Sequence, residues 1–526
     1  MNPKRATLVA AVLGSGVVFL DSTVVNVALP RIGQELPTSI LGVLEGQSYI
    51  YNGYLLALSS LLVLAGALND YYGRRRMFAL GLGGFLVTSV LCGLAPSMET
   101  LVLFRVLQGA AGALLVPGSL SLLTAAFEGE ERGRAFGVWA GASAATTILG
   151  PFVGGLLVDG ITWRAVFFLN VPIIAVALWA IARVPESRDE GASRSFDWLG
   201  ALVVFLAVGG LAFGAIYGQQ REWRDPLGFV ALGVGAAAAV AFPFLMLRSR
   251  HPLVPLWLFR SRNFAVTNLS TFVIYGALYV SFYYLPLFMM GTLGYTAAAV
   301  GLATVPGTLF LVFFSTRFGA LAARHGPRRY MAAGPAVMAV GLLWFLRMPV
   351  ASEPWAFQVS DARTYLPTTG YLVDFLPALL LFGIGLMVMV APLTTALMTS
   401  VPVRHSGVGS AINNAISRVG PQLAGAAIFV LITMTFYAAL AAKTGLDTSD
   451  PLVRQAFSPL NPPRLEIGGP GQIHVPAGAL PAAREASTDA FHLAMALSAA
   501  LLLVGAAVNA AGIRDERALA GPPQGA

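Results

Sequence analysis

Charged side chains are scarce in this sequence, because Asp, Glu, Lys and Arg make up only 11% of its 526 residues. A soluble globular domain carries about 25% charged residues, so the composition excludes an ordinary soluble enzyme and a disordered chain. Cysteine is scarcer still, since Cys92 is the only one. A single cysteine forms no internal disulfide, which excludes a disulfide-framed secreted domain.

Signatures of catalysis and cofactor binding are missing as well. The sequence has no Gly-x-x-x-x-Gly-Lys loop for nucleotide phosphates, and its five histidines show no metal-ligand spacing. No grouping of nucleophile, base and acid marks a catalytic site. We therefore expect no enzyme activity, no direct use of ATP and no bound cofactor or metal.

Long apolar runs fill the chain instead. Apolar residues make up 56% of it, and the mean hydropathy is +0.73. A membrane-spanning helix needs about 20 mostly apolar residues, whereas a porin-like barrel shows short alternating segments. The sequence therefore predicts an all-α integral membrane protein. Fourteen spans are predicted, at about 6–29, 44–66, 77–95, 100–126, 135–158, 165–182, 198–217, 227–246, 264–290, 297–317, 330–347, 374–399, 408–436 and 489–512.

The distribution of basic residues predicts the orientation. An even number of spans puts both termini on one side, and with the N-terminus inside, the inner loops hold 21 of the 33 Lys and Arg residues. Basic loops face the cytoplasm, so we predict a bacterial cell-membrane protein with both termini inside. The net charge of +8 reflects these loops rather than a nucleic acid partner. Two long outer segments, 348–373 and 437–488, are expected to be mobile rather than folded over the outer mouth.

An internal repeat divides the chain. Residues 66–76 and 319–329 align without a gap and match at both glycines, one leucine and two arginines, with Ala323 in the place of Asp70. Parallel repeats of six spans build one large transporter fold. We predict a six-helix bundle at 1–183, two additional helices with linkers at 184–262, a second six-helix bundle at 263–512 and a cytoplasmic tail at 513–526.

The first copy of the repeat is a candidate cytoplasmic gate. Its residues are Gly66, Asp70, Gly73, Arg74 and Arg75. Arginine forms directional hydrogen bonds with carboxylates, and a carboxylate also favours a neighbouring helix N-terminus. Such contacts can hold two bundles together on the cytoplasmic side. The alternative is a positive-inside anchor with an incidental ion pair.

Two charges fall inside predicted spans at about the same depth. Asp21 lies about fifteen residues into the first span, and Arg105 lies roughly 8 Å below the outer edge of the fourth. An ionised carboxylate at this depth is costly and marks a functional site. We predict a coupled pair in which a proton on Asp21 releases Arg105 and a cationic substrate competes with the proton for the carboxylate. Asn26 and Gln108 are candidates for the substrate cavity. The alternative is a structural arginine bonded to backbone carbonyls.

Further candidates for a substrate cavity are spread over three spans. Glu45 and Tyr51 lie near the start of the second span, where a solvated edge is the alternative. Tyr275 and Tyr279 recur at helical spacing in the ninth span, and they can stack on a flat or cationic drug or form a packing or lipid face.

The thirteenth span adds three polar candidates, Asn413, Asn414 and Arg418. The two asparagines can hydrogen-bond substrate or the facing half. Arg418 lies roughly 15 Å into the membrane and needs a partner, for which Asp374 is too shallow.

Glycines recur in the fifth span. The candidates for a hinge and seal at the interface of the halves are Gly141, Gly150, Pro151, Gly154 and Gly155. Glycines four residues apart let helices approach closely, and proline removes a backbone hydrogen bond and bends the helix.

These motifs resemble the major facilitator superfamily, in its fourteen-helix drug:proton antiporter branch of the EmrB/QacA type. The resemblance covers nearly the whole chain. It is carried by the 66–76 loop, by 20–30 in the first span, by Arg105-x-x-Gln108-Gly109, by Gly150-Pro151-x-x-Gly154-Gly155 and by the connection at 159–172.

The resemblance implies a proton-coupled antiporter that exports amphipathic, cationic drugs or toxic compounds by alternating access. Its expected partners are the substrate, protons and the lipid bilayer, with no nucleic acid, and we expect it to work as a monomer. The sequence leaves the use of a periplasmic adaptor open. One alternative is an exporter of a dedicated metabolite, antibiotic or lipid. The other is a membrane sensor that no longer transports, which would lack Asp21, Asp70 or Arg105.

Overall fold

The protein is described by a computed structural model over residues 2–38, 43–188, 196–221, 223, 225–358, 361–460 and 479–515. Within these residues every regular element is helical, which confirms the predicted all-α class. The helices of the N-terminal half are α1 (Pro3–Glu35), α2 (Val43–Tyr72), α3 (Arg74–Gly93), α4 (Met98–Ala113), α5 (Leu115–Ala126), α6 (Gly129–Gly160), α7 (Ala165–Phe168) and α8 (Asn170–Ile181).

The additional pair follows as α9 (Trp198–Gln220) and α10 (Pro226–Arg248). The helices of the C-terminal half are α11 (Arg262–Leu287), α12 (Ala297–His325), α13 (Arg328–Trp344), α14 (Leu376–Thr399), α15 (Ser406–Thr444), α16 (Pro451–Ala456) and α17 (Ala479–Gly512). Short π-helical turns at Phe288–Leu293 and Tyr371–Phe375 adjoin α11 and α14.

Thirteen helical segments of the described chain are long and apolar enough to cross a membrane. The sixth predicted span is a shorter apolar stretch made of α7 and α8, so the count of fourteen stays a prediction. The fourth predicted span is broken at Leu114, between α4 and α5. Two helices are longer than predicted: α15 and α17 extend beyond the predicted spans into the segment 437–488.

The first long outer segment differs from the expectation of mobility. Trp355 is buried, its ring lies 5.3 Å from that of Tyr371, and its carbonyl accepts a hydrogen bond from the backbone N–H of Thr296 at 3.4 Å. The described part of 348–373 therefore packs on the C-terminal half, because its aromatic side chains supply apolar surface that composition alone did not weigh. Residues 461–478 of the second segment lie outside the described residues.

The repeated loop is a structural repeat as well. Gly73 between α2 and α3 has φ of 110°, and Gly326 between α12 and α13 has φ of 88°. Residues with a Cβ rarely adopt such angles, so glycine at these two positions lets each chain turn directly into its next helix.

In the described chain the halves meet where α2 packs against α15, which we call the seam, and where α6 packs against α12. The helices α5 and α14 add to these contacts, against α15 and α6 respectively. The additional helix α9 packs against both α2 and α15. Buried apolar side chains of α3 and α6, such as Phe78 and Phe136, belong to one cluster with Met398 and Val408 of the C-terminal half. We call the side with the basic loops the inner side, and there the halves are closed.

Candidate functional site

Asp21 of α1 and Arg105 of α4 form an ion pair with both side chains fully buried. The Nη1 of Arg105 donates to Oδ2 of Asp21. The depth arithmetic predicted a common level, and the structure brings the two groups into direct contact. Because the pair has no exposed surface, its charges compensate each other in a medium where neither would be stable alone.

Amide side chains complete the coordination of the Asp21 carboxylate. Gln108 donates to Oδ1 of Asp21 at 3.3 Å, and Asn170 of α8 donates to the same oxygen at 3.0 Å. The Oε1 of Gln108 also accepts from Nη1 of Arg105 at 2.7 Å. The carboxylate of Asp21 thus accepts hydrogen bonds from three side chains, all of them in the N-terminal half.

Arg105 is held on its other side by α2. Its Nε donates to the carbonyl of Ile50 at 3.2 Å, and its guanidinium carbon lies 4.1 Å from the ring centroid of Tyr54. This contact is a cation–π interaction. Arg105 therefore bonds both the predicted carboxylate of Asp21 and one backbone carbonyl, and the second bond is of the kind expected for a purely structural arginine. A proton on Asp21 would remove the charge partner of a buried cation, so protonation and the position of Arg105 are coupled.

The candidate gate joins the two halves at the inner end of the seam. Asp70 accepts from Nη2 of Arg74 at 2.9 Å. It also accepts from the backbone N–H groups of Gly407 at 3.1 Å and Val408 at 2.9 Å. These two groups belong to the first turn of α15, where N–H groups lack partners within the helix. The carboxylate of one half therefore caps a helix of the other half, and Arg74 donates to the carbonyl of Val403 beside it.

A carboxylate that the sequence reasoning missed supports this loop. Glu186 accepts from the backbone N–H groups of Arg75 at 3.0 Å and Arg76 at 3.1 Å. Arg75 also donates to the carbonyl of Ala182 at 3.3 Å, within the N-terminal half. The first turn of α3 is thus fixed by the chain that leaves the sixth span. A carboxylate just after a span is the signal that could have drawn attention to Glu186.

Comparison with known families decides the class of protein. The sequence model of the Major Facilitator Superfamily matches residues 11–426. The chain belongs to the major facilitator superfamily. It is therefore a transporter and a multi-pass integral membrane protein, not an enzyme.

Relatives within the superfamily are named for drug resistance and export. The chain is 32% identical to multidrug resistance protein Stp of Mycobacterium tuberculosis, over 88% of this chain and 83% of that one. It is 33% identical to the tetracenomycin C resistance and export protein of Streptomyces glaucescens, over 81% and 75%. The crystal structure of the human organic anion transporter MFSD10 covers 97% of this chain and all of its own at a TM-score of 0.58. Its 13% identity supports the fold alone.

The glycines of α6 in this major facilitator protein divide between two neighbours. A Cβ on Gly141 would lie 2.9 Å from Oγ of Ser315 in α12, at the interface of the halves. Gly150 and Gly154 pack instead against Thr23 and Val24 of α1, inside the N-terminal half. Gly155 has open space around it, which corrects its assignment to a close contact. The side chain of Pro151 lies outside the described residues.

The aromatic cavity candidates gather near the seam. Tyr51 interacts with the side chain of Asn26 and lies within electrostatic range of Tyr279, which is 51% exposed. Tyr275 lies beside Tyr279 but packs partly into the core of the C-terminal half. Glu45 belongs to the first turn of α2, and its side chain lies outside the described residues.

The asparagines of α15 bond within their own half. Asn413 donates to Oδ1 of Asn268 at 3.2 Å and to Oγ1 of Thr271 at 2.9 Å, both on α11. Asn414 donates to the carbonyl of Ser410 at 2.9 Å. Asn413 does not bond the other half, because helix packing turns it toward α11. Contact of Asn414 with substrate stays a prediction, since its side chain is only partly buried.

Asn170 and Tyr54 are the other residues whose part in the Asp21 site the sequence reasoning did not predict. A lone amide inside a short apolar helix was the available signal for Asn170, because a buried amide needs a polar partner.

Proposed function

We propose that this major facilitator protein exports amphipathic compounds in exchange for protons, by alternating access. The observation that carries the proposal is the wholly buried Asp21–Arg105 pair with its two amide donors. Ionisable groups inside a membrane are costly and by default mark a functional site. The names of relatives, which include multidrug resistance and antibiotic export proteins, support the class of substrate.

The proposed cycle begins from the inner-closed arrangement. A proton from the outer side neutralises Asp21, and Arg105 then lacks a charge partner while Gln108 and Asn170 lose a charged acceptor. Rearrangement of this network releases the contacts between the halves, and the inner side opens to release the proton and load substrate. In this scheme Asp70 and Arg74 hold the inner side closed, and Gly141, Gly150 and Pro151 of α6 let that helix bend and seal.

The sequence predicted a cationic substrate that competes with the proton for Asp21. In the inner-closed arrangement Asp21 is fully buried and holds three donors, so we assign recognition first to the amphipathic body of the compound. A second candidate function is export of one dedicated antibiotic. The relative named for tetracenomycin C alone favours it. We also propose a bacterial inner-membrane location with both termini in the cytoplasm, on the basic loops.

The test is substrate-driven proton exchange in liposomes that contain the full chain. Asp21→Asn is expected to lower exchange at least about ten-fold, because the amide cannot carry the proton. Asp361→Asn, which changes an exposed carboxylate of an outer loop, is the matched control and should keep wild-type exchange. Undiminished exchange in Asp21→Asn would contradict the proposal. A panel of dyes separates the two candidates, since a dedicated exporter moves one compound only.

A further inference from the structure

Arg418, which is partly buried, differs from Arg74 and Arg105, the two fully buried arginines near the seam. It lies twelve residues after the start of α15, roughly 18 Å along the helix axis. Its Nε atom is buried and has no hydrogen-bond partner, and no carboxylate pairs with it among the described residues. Arg105 also has one buried atom without a hydrogen-bond partner, Nη2, but Arg74 and Arg105 each pair with an aspartate.

The described carboxylates near the seam are already engaged. Asp21 accepts hydrogen bonds from Arg105, Gln108 and Asn170. Asp70 accepts hydrogen bonds from Arg74 and from two backbone N–H groups of α15. Neither is available to Arg418 in the inner-closed arrangement. Within the described residues, the central region is therefore left with one unbalanced positive charge.

Arg418 lies two turns after Ala411, whose Cβ packs against Gly66 of α2, so the helical repeat places Arg418 on the face of α15 that is turned to the seam. Arg418 acts electrostatically on the hydroxyls of Tyr51 and Tyr54 of α2, in the other half, and Arg105 acts on the same two hydroxyls. Tyr51 lies in turn near Tyr279 of α11, whose ring is half exposed. A guanidinium with aromatic rings on both sides of the seam thus stands beside the Asp21 network.

We infer that Arg418 binds an acidic group of the transported compound, so that the preferred substrate is an amphipathic organic anion with an aromatic body. This rests on the proposed function and replaces the cationic substrate predicted from the sequence. A guanidinium forms paired hydrogen bonds with a carboxylate or a similar anion. A partly buried guanidinium without a carboxylate partner is costly inside a membrane, so an anion that supplies the missing partner is bound and a cation is repelled.

The charge of the substrate also changes the energetics of exchange. When protons enter and a monoanion leaves, both movements carry positive charge inward, and export responds to the membrane potential. When one proton enters and a monocation leaves, no net charge moves. Dependence of export on an imposed potential is therefore a second property by which anion and cation transport differ.

Binding to the purified full chain tests the inference without any transport step. The probes are three coumarin dyes at pH 7, namely a carboxylate, its methyl amide and a trimethylammonium-alkyl amide, followed by fluorescence anisotropy. The wild type is expected to bind the carboxylate tightest. Arg418→Gln should weaken carboxylate binding about ten-fold, as loss of a charge-assisted hydrogen bond does, and leave the methyl amide unchanged. Arg347→Gln, at an exposed arginine stacked on Trp344, is the matched control.

In the binding assay, three outcomes would overturn the inference: tightest binding of the cationic dye by the wild type, equal loss of binding of all three dyes in Arg418→Gln, or unchanged carboxylate binding in that variant. Arg418→Lys keeps the charge without the paired hydrogen-bond geometry, so it should weaken binding of the carboxylate dye only a few-fold. This variant replaces Arg418→Gln in the test if the glutamine variant does not fold. In liposomes, a wild type that binds the carboxylate but exchanges no dye for protons contradicts the proposed function alone. Proton-coupled export of the methyl amide without anion preference contradicts this inference alone.

Discussion

The two inner contacts between the halves share their backbone geometry and differ in charge. In both, glycines bring two helices together. A Cβ on Gly66 would lie 2.4 Å from the carbonyl oxygen of Gly407, and a Cβ on Gly133 would lie 2.5 Å from that of Gly319. Gly66 and Gly319 are the first residues of the two repeat copies, so each half contributes its copy to a contact with the other half.

The difference lies four residues further along each copy. In the first, Asp70 is buried and caps α15, whereas the second has Ala323 at that position. The ion pair that joins the halves beside the second contact is that of Arg324 with Glu130, in which Arg324 is 59% exposed. We call the first the charged contact and the second the glycine contact. The comparison indicates that close packing holds both contacts, while only the charged contact responds strongly to a change of charge.

The largest effect is expected from side chains placed at the glycines. Gly66→Val and Gly133→Val should each abolish transport, because the added Cβ overlaps a carbonyl of the other half, where the backbone cannot yield. Both proteins should stay open on the inner side, measured as faster labelling of an inner-facing cysteine. Gly83→Val in α3, where a Cβ meets nothing within 4 Å, is the control. If Gly133→Val transported normally, the two contacts would not be equivalent.

Removal of the charge at the charged contact ranks second. Asp70→Asn keeps the shape but weakens the bonds to Arg74 and to the first turn of α15. Loss of one partner from a buried pair costs about 3–5 kcal/mol, so we expect transport to fall by at least about ten-fold. The same cysteine-labelling assay should show partial opening of the inner side. Wild-type transport in Asp70→Asn would assign the loop to membrane anchoring alone.

Much of the fold was predictable because its signals are local. Apolar length predicted the spans, and the repeated glycine turns at Gly73 and Gly326 predicted the two halves. The sixth span was harder, because its helix is broken at Leu169, and a short break leaves the hydropathy of the run unchanged. Packing of the outer segment around Trp355 depends on contacts distant in the sequence, which composition does not report.

In the candidate site, too, the residues with local signals were predictable and those that depend on distant contacts were not. Asp21 and Arg105 were predictable because ionised groups in apolar spans are rare and their depth follows from residue counts. The rotation of each helix was not predictable to the same degree: Asn413 was expected to bond substrate or the other half, and it bonds α11 of its own half. Asn170 and Glu186 act through partners more than 100 residues away, and no periodicity of the sequence points to such contacts.

A smaller effect is expected at the loop that supports the charged contact. Glu186→Gln leaves a neutral acceptor opposite the backbone N–H groups of Arg75 and Arg76. Loss of a helix cap costs about 1 kcal/mol, so transport should fall only a few-fold, and less than in Asp70→Asn. The double variant Asp70→Asn/Glu186→Gln should be little worse than Asp70→Asn, because both act on the same contact. Additive losses would show that Glu186 acts elsewhere.

The smallest effect is expected at the surface of the glycine contact. Arg324→Gln removes the ion pair with Glu130, and exposed pairs contribute about 0–1 kcal/mol. Transport should therefore stay within about two-fold of wild type, and any difference should disappear at high salt because exposed charges are screened. A loss as large as that of Asp70→Asn would contradict the proposed division, since the glycine contact would then depend on charge as strongly as the charged contact does.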